Sequence, residues 1–248
     1  MFYHNINPTL ITIGPFEVRY YGIIYALGFL VSLAWLMRVK NKLGMNKDDV
    51  YDYVFYVAIG IIVGARAFEV LIWHPTYYFS NPEEIIAIWH GGLSFHGGLV
   101  GAVIVSWLFC KFRGIKLMRL ADAVVIPATL MLAFGRIANF INGELYGTVT
   151  KLPWCVKFPG VSGCRHPVQL YGAIKRFIVF GIIVWLNKKK HKDGFIFWNF
   201  VALFGIGRLL IDFVREDPRF FGLSTGQWLS FVMFAIAVYV LWKSYWKK

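Results

Sequence analysis

Seven apolar runs, each about as long as a bilayer core is thick, limit this chain to few possible folds. They occupy residues 20–37, 53–72, 93–110, 120–138, 168–186, 195–214 and 228–243. A helix needs about 20 apolar residues to cross the hydrocarbon, where its backbone polar groups must be satisfied internally. The sequence therefore predicts an all-α polytopic membrane protein with seven transmembrane helices.

The distribution of Lys and Arg predicts the orientation of these helices. The chain is 58% hydrophobic and 16% charged, with a formal net charge of +13. Most loop Lys and Arg fall in the connections 38–47, 111–119 and 188–192 and in the end of the chain, 243–248. Basic loops remain in the cytoplasm and face anionic headgroups. We therefore expect an outer amino terminus and a cytoplasmic carboxyl terminus, and no nucleic-acid partner.

The chain has no internal repeat and no linker, so residues 1–248 are predicted to form a single integral membrane domain. No cleavable signal peptide is expected, because no basic region precedes the first apolar run. Segment 1–19, with turn formers at Asn7-Pro8 and Gly14-Pro15, is predicted to be interfacial. An interfacial arm is expected at 75–92, and residues 81–89 resemble a capped amphipathic helix, which either has a function or only covers the bundle.

The longest outer connection, at residues 143–167, contains two of the three cysteines. Cys155 and Cys164 either close a small disulfide ring or remain free thiols, since no spacing rule decides between the two. Cys110 lies at a predicted cytoplasmic helix end. The cysteine spacing matches no metal motif.

The most informative stretch is Gly135-Arg136-Ile137-Ala138-Asn139-Phe140-Ile141-Asn142-Gly143-Glu144-Leu145-Tyr146-Gly147, at the end of the fourth run. An unpaired arginine at membrane depth costs roughly 3 kcal/mol or more, so Arg136 requires an anionic partner. Asn139 shares its helix face, and Glu144 could fold back over that face. The alternative is an internal Arg136–Glu144 salt bridge with a purely structural role.

A second constellation lies near the end of the sixth run. Arg208, Asp212 and Arg215 fall on one helical stripe, and Asp217-Pro218 is expected to end that helix. Two cations against one carboxylate leave one positive charge, which would suit a lipid phosphate. A self-contained structural network is the alternative.

Of the other ionisable residues in the apolar runs, only some are expected to have structural partners. Arg66 has Glu69 three residues further on, and this pair is the most structural of the set. Asp122 is expected to act as a structural cap. Lys175 and Arg176 have no clear role beyond snorkelling towards headgroups.

Several motifs resemble, in the same order, those of the prolipoprotein diacylglyceryl transferase family. The pattern G-R-x-x-N-F-x-N-x-E-x-x-G at 135–147 resembles the family signature at every fixed position. The resemblance extends over nearly the whole chain: it includes Tyr21-Gly22, Arg66, the H-G-G of 96–98, the R-H-P-x-Q-L-Y of 165–171 and the helix of Arg208. Phe204 stands where the family often has tyrosine, and Gly172 where it often has a carboxylate.

The resemblance implies an enzyme of the cytoplasmic (inner) membrane with its active site towards the outer leaflet. Its members transfer the diacylglyceryl group of phosphatidylglycerol to the thiol of a lipobox cysteine in a preprolipoprotein. A thioether forms and glycerol phosphate leaves. No metal or cofactor is expected. A multispan ion- or anion-coupled transporter is the main alternative, because it also uses intramembrane charges.

The resemblance also implies residue roles. Arg136 and Arg208 would clamp the departing phosphate. Asn139 and Glu144 would orient glycerol or the arginines, and His96 or the donor's phosphate would take the thiol proton. Substrate contacts are expected from Arg136, Tyr21, Gly147, Arg66, Asn142, His166, Gln169 and Arg215. Phe204, Gly172, Lys175 and Arg176 leave room for an altered donor specificity.

Overall fold

A computed structural model describes residues 2–14 and 16–247. Within them, seven helices are long and apolar enough to cross a membrane, as predicted: Tyr20–Leu43, Lys47–Trp73, Phe95–Arg113, Leu117–Ile141, Val168–Leu186, Phe195–Val214 and Thr225–Trp246. The expected turn at Gly14-Pro15 and the expected basic residue Lys248 fall partly or wholly outside the described residues.

The chain divides into two compact units. The first unit comprises Met1–Ser32 and Ala121–Lys248, and the second unit comprises Leu33–Leu120. The α-helices are α1 Tyr20–Leu43, α2 Lys47–Phe68, α3 Pro75–Ser80, α4 Phe95–Arg113, α5 Leu117–Ile141, α6 Val168–Leu186, α7 Phe195–Ile211 and α8 Thr225–Leu241. Single π-helical turns, Glu69–Trp73 and Trp242–Trp246, extend α2 and α8. The prediction of one domain remains a prediction.

In the second unit, α2 packs closely against α4 through glycines on both helices. A Cβ on Gly64 would lie 3.0 Å from the Cα of Gly101, and it would also collide with the carbonyl oxygen of Gly97. A Cβ on Gly101 would meet the carbonyl carbon of Gly60 at 2.8 Å. Glycines four residues apart therefore let two backbones approach within contact distance, as small residues do in membrane helix pairs.

The arm between α2 and α4 is not the capped amphipathic helix that the sequence predicted. After α3 it contains two 3₁₀ turns, Pro82–Ile85 and Ile88–His90. Asn81 makes no side-chain cap and donates its Nδ2 back to the carbonyl of Tyr77 at 2.9 Å. A regular α-helix would use its carbonyls in its own ladder. The 3₁₀ turns and the chain after them instead leave several carbonyls free for Arg66.

In the first unit, α7 packs against α6 and α8. Val201, Ala202, Ala237 and Leu241 form the buried cluster between α7 and α8. Asp122 of α5 caps α7: its carboxylate accepts from the backbone N–H groups of Gly194 and Phe197, each at 2.7 Å. The prediction of a structural cap at Asp122 is confirmed, since these bonds satisfy donors that a helix amino terminus leaves unpaired.

Helix α7 ends earlier than predicted. It stops at Ile211, a 3₁₀ turn follows at Asp212–Val214, and Arg215 is extended with φ −91° and ψ 152°. The expectation that Asp217-Pro218 ends this helix is therefore wrong. The chain leaves the helix early enough for Gly147 and Arg215 to form an antiparallel bridge.

Three short two-stranded sheets, which the sequence did not predict, organise the polar segments of the first unit. β1 Phe2–Tyr3 pairs in parallel with β4 Val156–Lys157, and the hairpin of β2 Thr9–Ile13 and β3 Phe16–Arg19 precedes α1. A third pair joins β5 Arg219–Phe220 to β6 Leu223–Ser224. In the 143–167 connection, Cys155 and Cys164 form a disulfide, which decides the alternative that the sequence left open.

Candidate active site

A strongly basic cavity lies among α5, α6, α7 and the turn after α7, all within the first unit. Its lining contains five cationic side chains and one carboxylate. The lining residues are Arg136, Val168, Gly172, Lys175, Arg176, Arg208, Ile211, Asp212 and Arg215. The sequence prediction that Arg136, Arg208 and Arg215 lie together is therefore consistent with the structure.

Arg136 reaches this cavity from the last turns of α5. Its aliphatic stem passes the backbone of α6, where a Cβ added to Gly172 would lie 3.5 Å from its Cγ and Cδ. Over the part of the chain that the structure describes, its guanidinium makes no ion pair or hydrogen bond. It lies within electrostatic range of Arg208, Arg215 and Asp212. The cation that most needs an anion thus remains available to a ligand.

The alternative of an internal Arg136–Glu144 salt bridge is wrong. The Glu144 carboxylate accepts hydrogen bonds from the side-chain amides of Asn139 at 2.7 Å and Asn142 at 3.4 Å. Asn139 is buried, whereas Glu144 is exposed. Gly143, with a φ of 70°, provides the reversal that brings Glu144 back to the end of α5. Two amides therefore fix the carboxylate and leave its second oxygen free.

On the opposite side of the cavity, Asp212 holds two arginines. Its Oδ2 lies 3.3 Å from the Nε of Arg208, and its Oδ1 lies 3.8 Å from the Nε of Arg215. Arg215 also donates twice to Asp217, at 2.9 and 3.2 Å. The prediction that this group has a spare positive charge is wrong, because the early end of α7 brings a second carboxylate to Arg215. Arg208 keeps a side chain that is 31% exposed.

The 143–167 connection closes around Gly147 by close packing. The Gly147 N–H donates to the carbonyl of His166 at 3.0 Å. A Cβ at Gly147 would lie 2.6 Å from a methyl group of Val168 and 2.9 Å from the Cβ of His166. Glycine at this position therefore has a packing reason, whether or not a substrate also contacts its backbone.

His166 and Gln169 support the same connection from the start of α6. Gln169 is fully buried and donates its Nε2 to the backbone carbonyl of Glu144 at 2.6 Å, while its Oε1 has no partner among the residues described. His166 Nδ1 lies 3.3 Å from the hydroxyl of Tyr171. Partial burial lowers the pKa of His166, so its imidazole is neutral at pH 7. As predicted, α6 begins directly after Pro167.

Tyr21 lies at the first turn of α1. Its hydroxyl is 3.1 Å from that of Tyr25, and it lies within electrostatic range of both Arg136 and Glu144. The phenol therefore belongs to the surroundings of the cavity. Its assignment as a substrate contact remains a prediction.

Arg66 and His96 belong to the second unit. Arg66 is 6% exposed and donates to the carbonyls of Ile85, Gly91 and Gly92 at 2.9, 2.6 and 2.8 Å. It also donates to the carbonyls of Glu84 and Ala87 and to the hydroxyl of Tyr78.

The expected Arg66–Glu69 pair is wrong, because Glu69 contacts His74 Nδ1 at 2.7 Å instead. Arg66 thus holds the arm, and its assignment to substrate remains untested. His96 is exposed, with its ring 6.4 Å from that of Trp73.

The sequence indicates that Lys175 and Arg176 are unusual, but it does not explain their role. The expectation of snorkelling is wrong for Arg176, which is 5% exposed and lines the cavity. The available signal was a pair of adjacent cations within an apolar run, three and four residues after Gly172. The sequence pattern predicts only a helix end at Asp217, although its spacing from Arg215 also allows a direct ion pair between the two side chains.

Comparisons with known proteins show which family this chain resembles. A family model described as prolipoprotein diacylglyceryl transferase matches residues 8–243. A phosphatidylglycerol–prolipoprotein diacylglyceryl transferase of Geobacter sulfurreducens is 39% identical over 96% of this chain and 95% of its own length. Proteins of the same name from Legionella pneumophila and Brucella anthropi are 38% and 36% identical, over 97% of this chain and 98% and 92% of their own lengths.

Proposed function

The chain belongs to the prolipoprotein diacylglyceryl transferase family, and we propose that it carries out the reaction its relatives are named for. It is a multi-pass membrane enzyme that takes phosphatidylglycerol as donor and a prolipoprotein as acceptor. The acceptor atom is the thiol sulfur of the lipobox cysteine. Neither the family match nor the relatives described above supports the alternative of a transporter.

The reaction exchanges one bond at an alkyl carbon. The sulfur attacks the glyceryl carbon that carries the phosphate ester, a C–S bond forms and the C–O bond to phosphate breaks. Glycerol phosphate leaves with the electron pair of that bond, and the thiol loses its proton. Because no acyl group reacts, the step needs no oxyanion hole for a tetrahedral intermediate. It needs an electrostatic clamp on the leaving phosphate.

The observation that carries this proposal is the guanidinium of Arg136, which has no ion-pair partner among residues 2–14 and 16–247, in a basic cavity that also contains Arg208. Negative charge on the phosphate oxygens grows as the C–O bond breaks, so donors aimed at them stabilise the transition state more than the ground state. Arg136 supplies donors that no carboxylate of the described residues occupies. Arg208, held by Asp212 but still partly exposed, supplies the second half of the clamp.

The remaining site residues orient the reactants. Asn139 and Asn142 hold Glu144, whose free oxygen would accept a hydroxyl of the headgroup glycerol. Tyr21, Gly147, His166, Gln169 and Arg215 would line the path of the headgroup. His96, or the phosphate itself, would take the thiol proton. The arm already occupies the donors of Arg66, which argues against a direct substrate contact by this residue.

The enzyme is proposed to lie in the cytoplasmic membrane with its amino terminus outside and its carboxyl terminus in the cytoplasm. The basic connections 38–47, 111–119 and 188–192 support this orientation through the bias of Lys and Arg towards the cytoplasm. The disulfide between Cys155 and Cys164 supports an outer location for the 143–167 connection, because disulfides persist in oxidising compartments. The cavity would then open towards the outer leaflet.

The test uses purified protein, phosphatidylglycerol and a lipobox peptide, with the diacylglyceryl-peptide measured by mass spectrometry. Arg136→Ala and Arg208→Ala should each lower kcat by about 10²–10³-fold, as loss of one transition-state donor does. Arg219→Ala is the matched control, because this exposed arginine lies in the same unit outside the cavity. Full transfer by both cavity variants would refute the clamp, and no transfer by the wild-type protein would refute the function.

A further inference from the structure

Two cations on α6 face one aromatic ring on α7 in a way the clamp does not require. The Nζ of Lys175 lies 4.4 Å from the centre of the Phe204 ring, and the guanidinium carbon of Arg176 lies 5.1 Å from it. The Lys175 side chain runs over Gly207, where a Cβ would lie 2.9 Å from its Cγ. A ring quadrupole attracts cations but supplies no negative charge, so Phe204 gives neither side chain a counter-ion.

Arg176 is buried with unused hydrogen-bonding capacity. It is 5% exposed, its Nη1 donates to the carbonyl of Gly172 at 2.9 Å, and its Nε has no partner among the described residues. In the same part of the chain, neither Lys175 nor Arg176 forms an ion pair with a carboxylate. A buried charged donor left unsatisfied is unfavourable. Both side chains line the cavity that contains Arg136, so a ligand there can satisfy them.

The charges of the cavity indicate how much anion it can hold. Asp212 and Asp217 offset Arg208 and Arg215. The single negative charge of a donor phosphodiester offsets Arg136. The cationic side chains of Lys175 and Arg176 then remain without a counter-charge. A phosphomonoester, which carries about −1.5 to −2 charges at pH 7, would balance them.

We propose that Lys175, Arg176 and Phe204 form a second anion subsite, which binds a phosphate group additional to the phosphodiester of the donor. The phosphate could belong to a donor lipid whose headgroup glycerol is itself phosphorylated, or to free glycerol phosphate. The inference rests on the proposed function for the position of the phosphodiester. With this subsite, the choice of donor lipid depends on Lys175 and Arg176 of α6 as well as on the clamp formed by Arg136 and Arg208.

The experiment compares two donors that differ only in the terminal phosphomonoester: phosphatidylglycerol and phosphatidylglycerol phosphate. Lys175→Met and Arg176→Gln remove one cation each, and Lys189→Met removes an exposed cation just beyond α6 as the control. Binding is counted by native mass spectrometry of the full-length protein in detergent, so the readout does not need turnover. Thermal unfolding identifies any variant that fails to fold, in which case the other variant decides.

If the subsite exists, wild-type protein binds the phosphorylated lipid more tightly than phosphatidylglycerol. Each α6 variant then loses about tenfold or more of that preference, as expected for one charge-assisted bond. Affinity for phosphatidylglycerol changes much less, and Lys189→Met behaves as wild type. A second arm titrates free glycerol phosphate onto protein saturated with phosphatidylglycerol, so that the clamp is already occupied: a loss of its binding in the same variants, without a lipid preference, supports the subsite and identifies the free anion as its ligand.

The proposal is overturned if neither ligand loses affinity in the α6 variants, or if Lys189→Met loses as much. A wild-type protein that transfers no diacylglyceryl group from either lipid would refute the proposed function. The binding comparison would still decide whether the subsite exists.

Discussion

Replacing Asp212 by Asn removes the carboxylate that joins the two arginines of the α7 side. Asp212 is 2% exposed and lies within 4 Å of the Nε atoms of both Arg208 and Arg215. Asparagine keeps the shape of the side chain but carries no charge. The variant therefore tests whether the charge of Asp212, rather than its packing, fixes Arg208 for phosphate binding.

The structure limits the expected loss of stability. Removing one partner from a buried ion pair costs about 3–5 kcal/mol, because the other charge is left uncompensated. Arg215 keeps its two hydrogen bonds to Asp217, and the Arg208 side chain is 31% exposed. Both facts reduce the penalty, so we expect the free energy of unfolding to fall by about 3 kcal/mol, at the lower end of that range.

The kinetic effect should appear in kcat rather than in KM. Without Asp212 the cavity becomes more positive, so ground-state attraction for the lipid phosphate is not weakened. Arg208 loses the contact that orients it, and misplacement of a catalytic group by about 1 Å can cost on the order of 100-fold in rate. We expect kcat to fall by about 10–100-fold. The assay is transfer to a lipobox peptide at several phosphatidylglycerol concentrations, with thermal unfolding in the same detergent.

Asp217→Asn is the matched control, because Asp217 pairs with Arg215 but not with Arg208. It should cost about 1 kcal/mol or less and leave kcat nearly unchanged, since its carboxylate is partly exposed. The reasoning is refuted if Asp212→Asn retains wild-type kcat. It is also refuted if the two variants lose stability and rate equally, because then the pairing with Arg208 would have no particular importance.

Three further predictions concern the framework. Gly64→Ala should destabilise the α2–α4 pair by about 1–3 kcal/mol, since the added methyl group collides with the backbone of α4. Gly98→Ala should be neutral in the same thermal unfolding assay, because the nearest atoms to a Cβ there lie at van der Waals distance, 3.4 Å or more away. Replacing Cys155 and Cys164 together by Ser should lower stability by about 2–3 kcal/mol, because the bond closes a short loop; a reductant should lower wild-type stability equally and leave the double variant unchanged. Because burial lowers the pKa of His166, the unfolded chain binds the imidazole proton more readily, so the free energy of unfolding should fall as pH drops below about 6.5. His166→Asn should reduce the difference in unfolding free energy between pH 7.5 and 5.5. An unaltered pH dependence in this variant would contradict the lowered pKa of His166.

The sequence was sufficient for the number and approximate positions of the membrane helices, because hydrocarbon imposes a length and a composition on each of them. It also identified Arg136, Arg208 and Glu144 as unusual, since a charge in an apolar run requires a partner. It could not name those partners. Glu144 binds Asn139 and not Arg136, because the turn at Gly143 decides where the carboxylate points.

The predictions from local periodicity are wrong at two places where the regular helix does not extend as far as the sequence pattern. The i, i+4, i+7 spacing of Arg208, Asp212 and Arg215 predicts one helical stripe, but the helix ends at Ile211. In the arm, the cap and apolar spacing indicated a helix, whereas Arg66 competes for the carbonyls that such a helix would need. In both places a tertiary contact outweighs a local preference, and a single sequence does not contain that contact.

Gly172 connects the clamp to the proposed second subsite. A Cβ there would lie 2.9 Å from the Nη1 of Arg176 and 3.5 Å from the Cγ and Cδ of Arg136, so the absence of a side chain lets both arginines reach one cavity. Like charges in a low-dielectric site repel each other, and protein carboxylates leave Arg136, Lys175 and Arg176 unpaired within the described residues. Such an arrangement is stable only if an anion occupies it for much of the time. A protein whose lipid donor enters and leaves at every turnover needs that anion as its substrate or product, and this requirement links the electrostatics of the cavity to the chemistry of transfer.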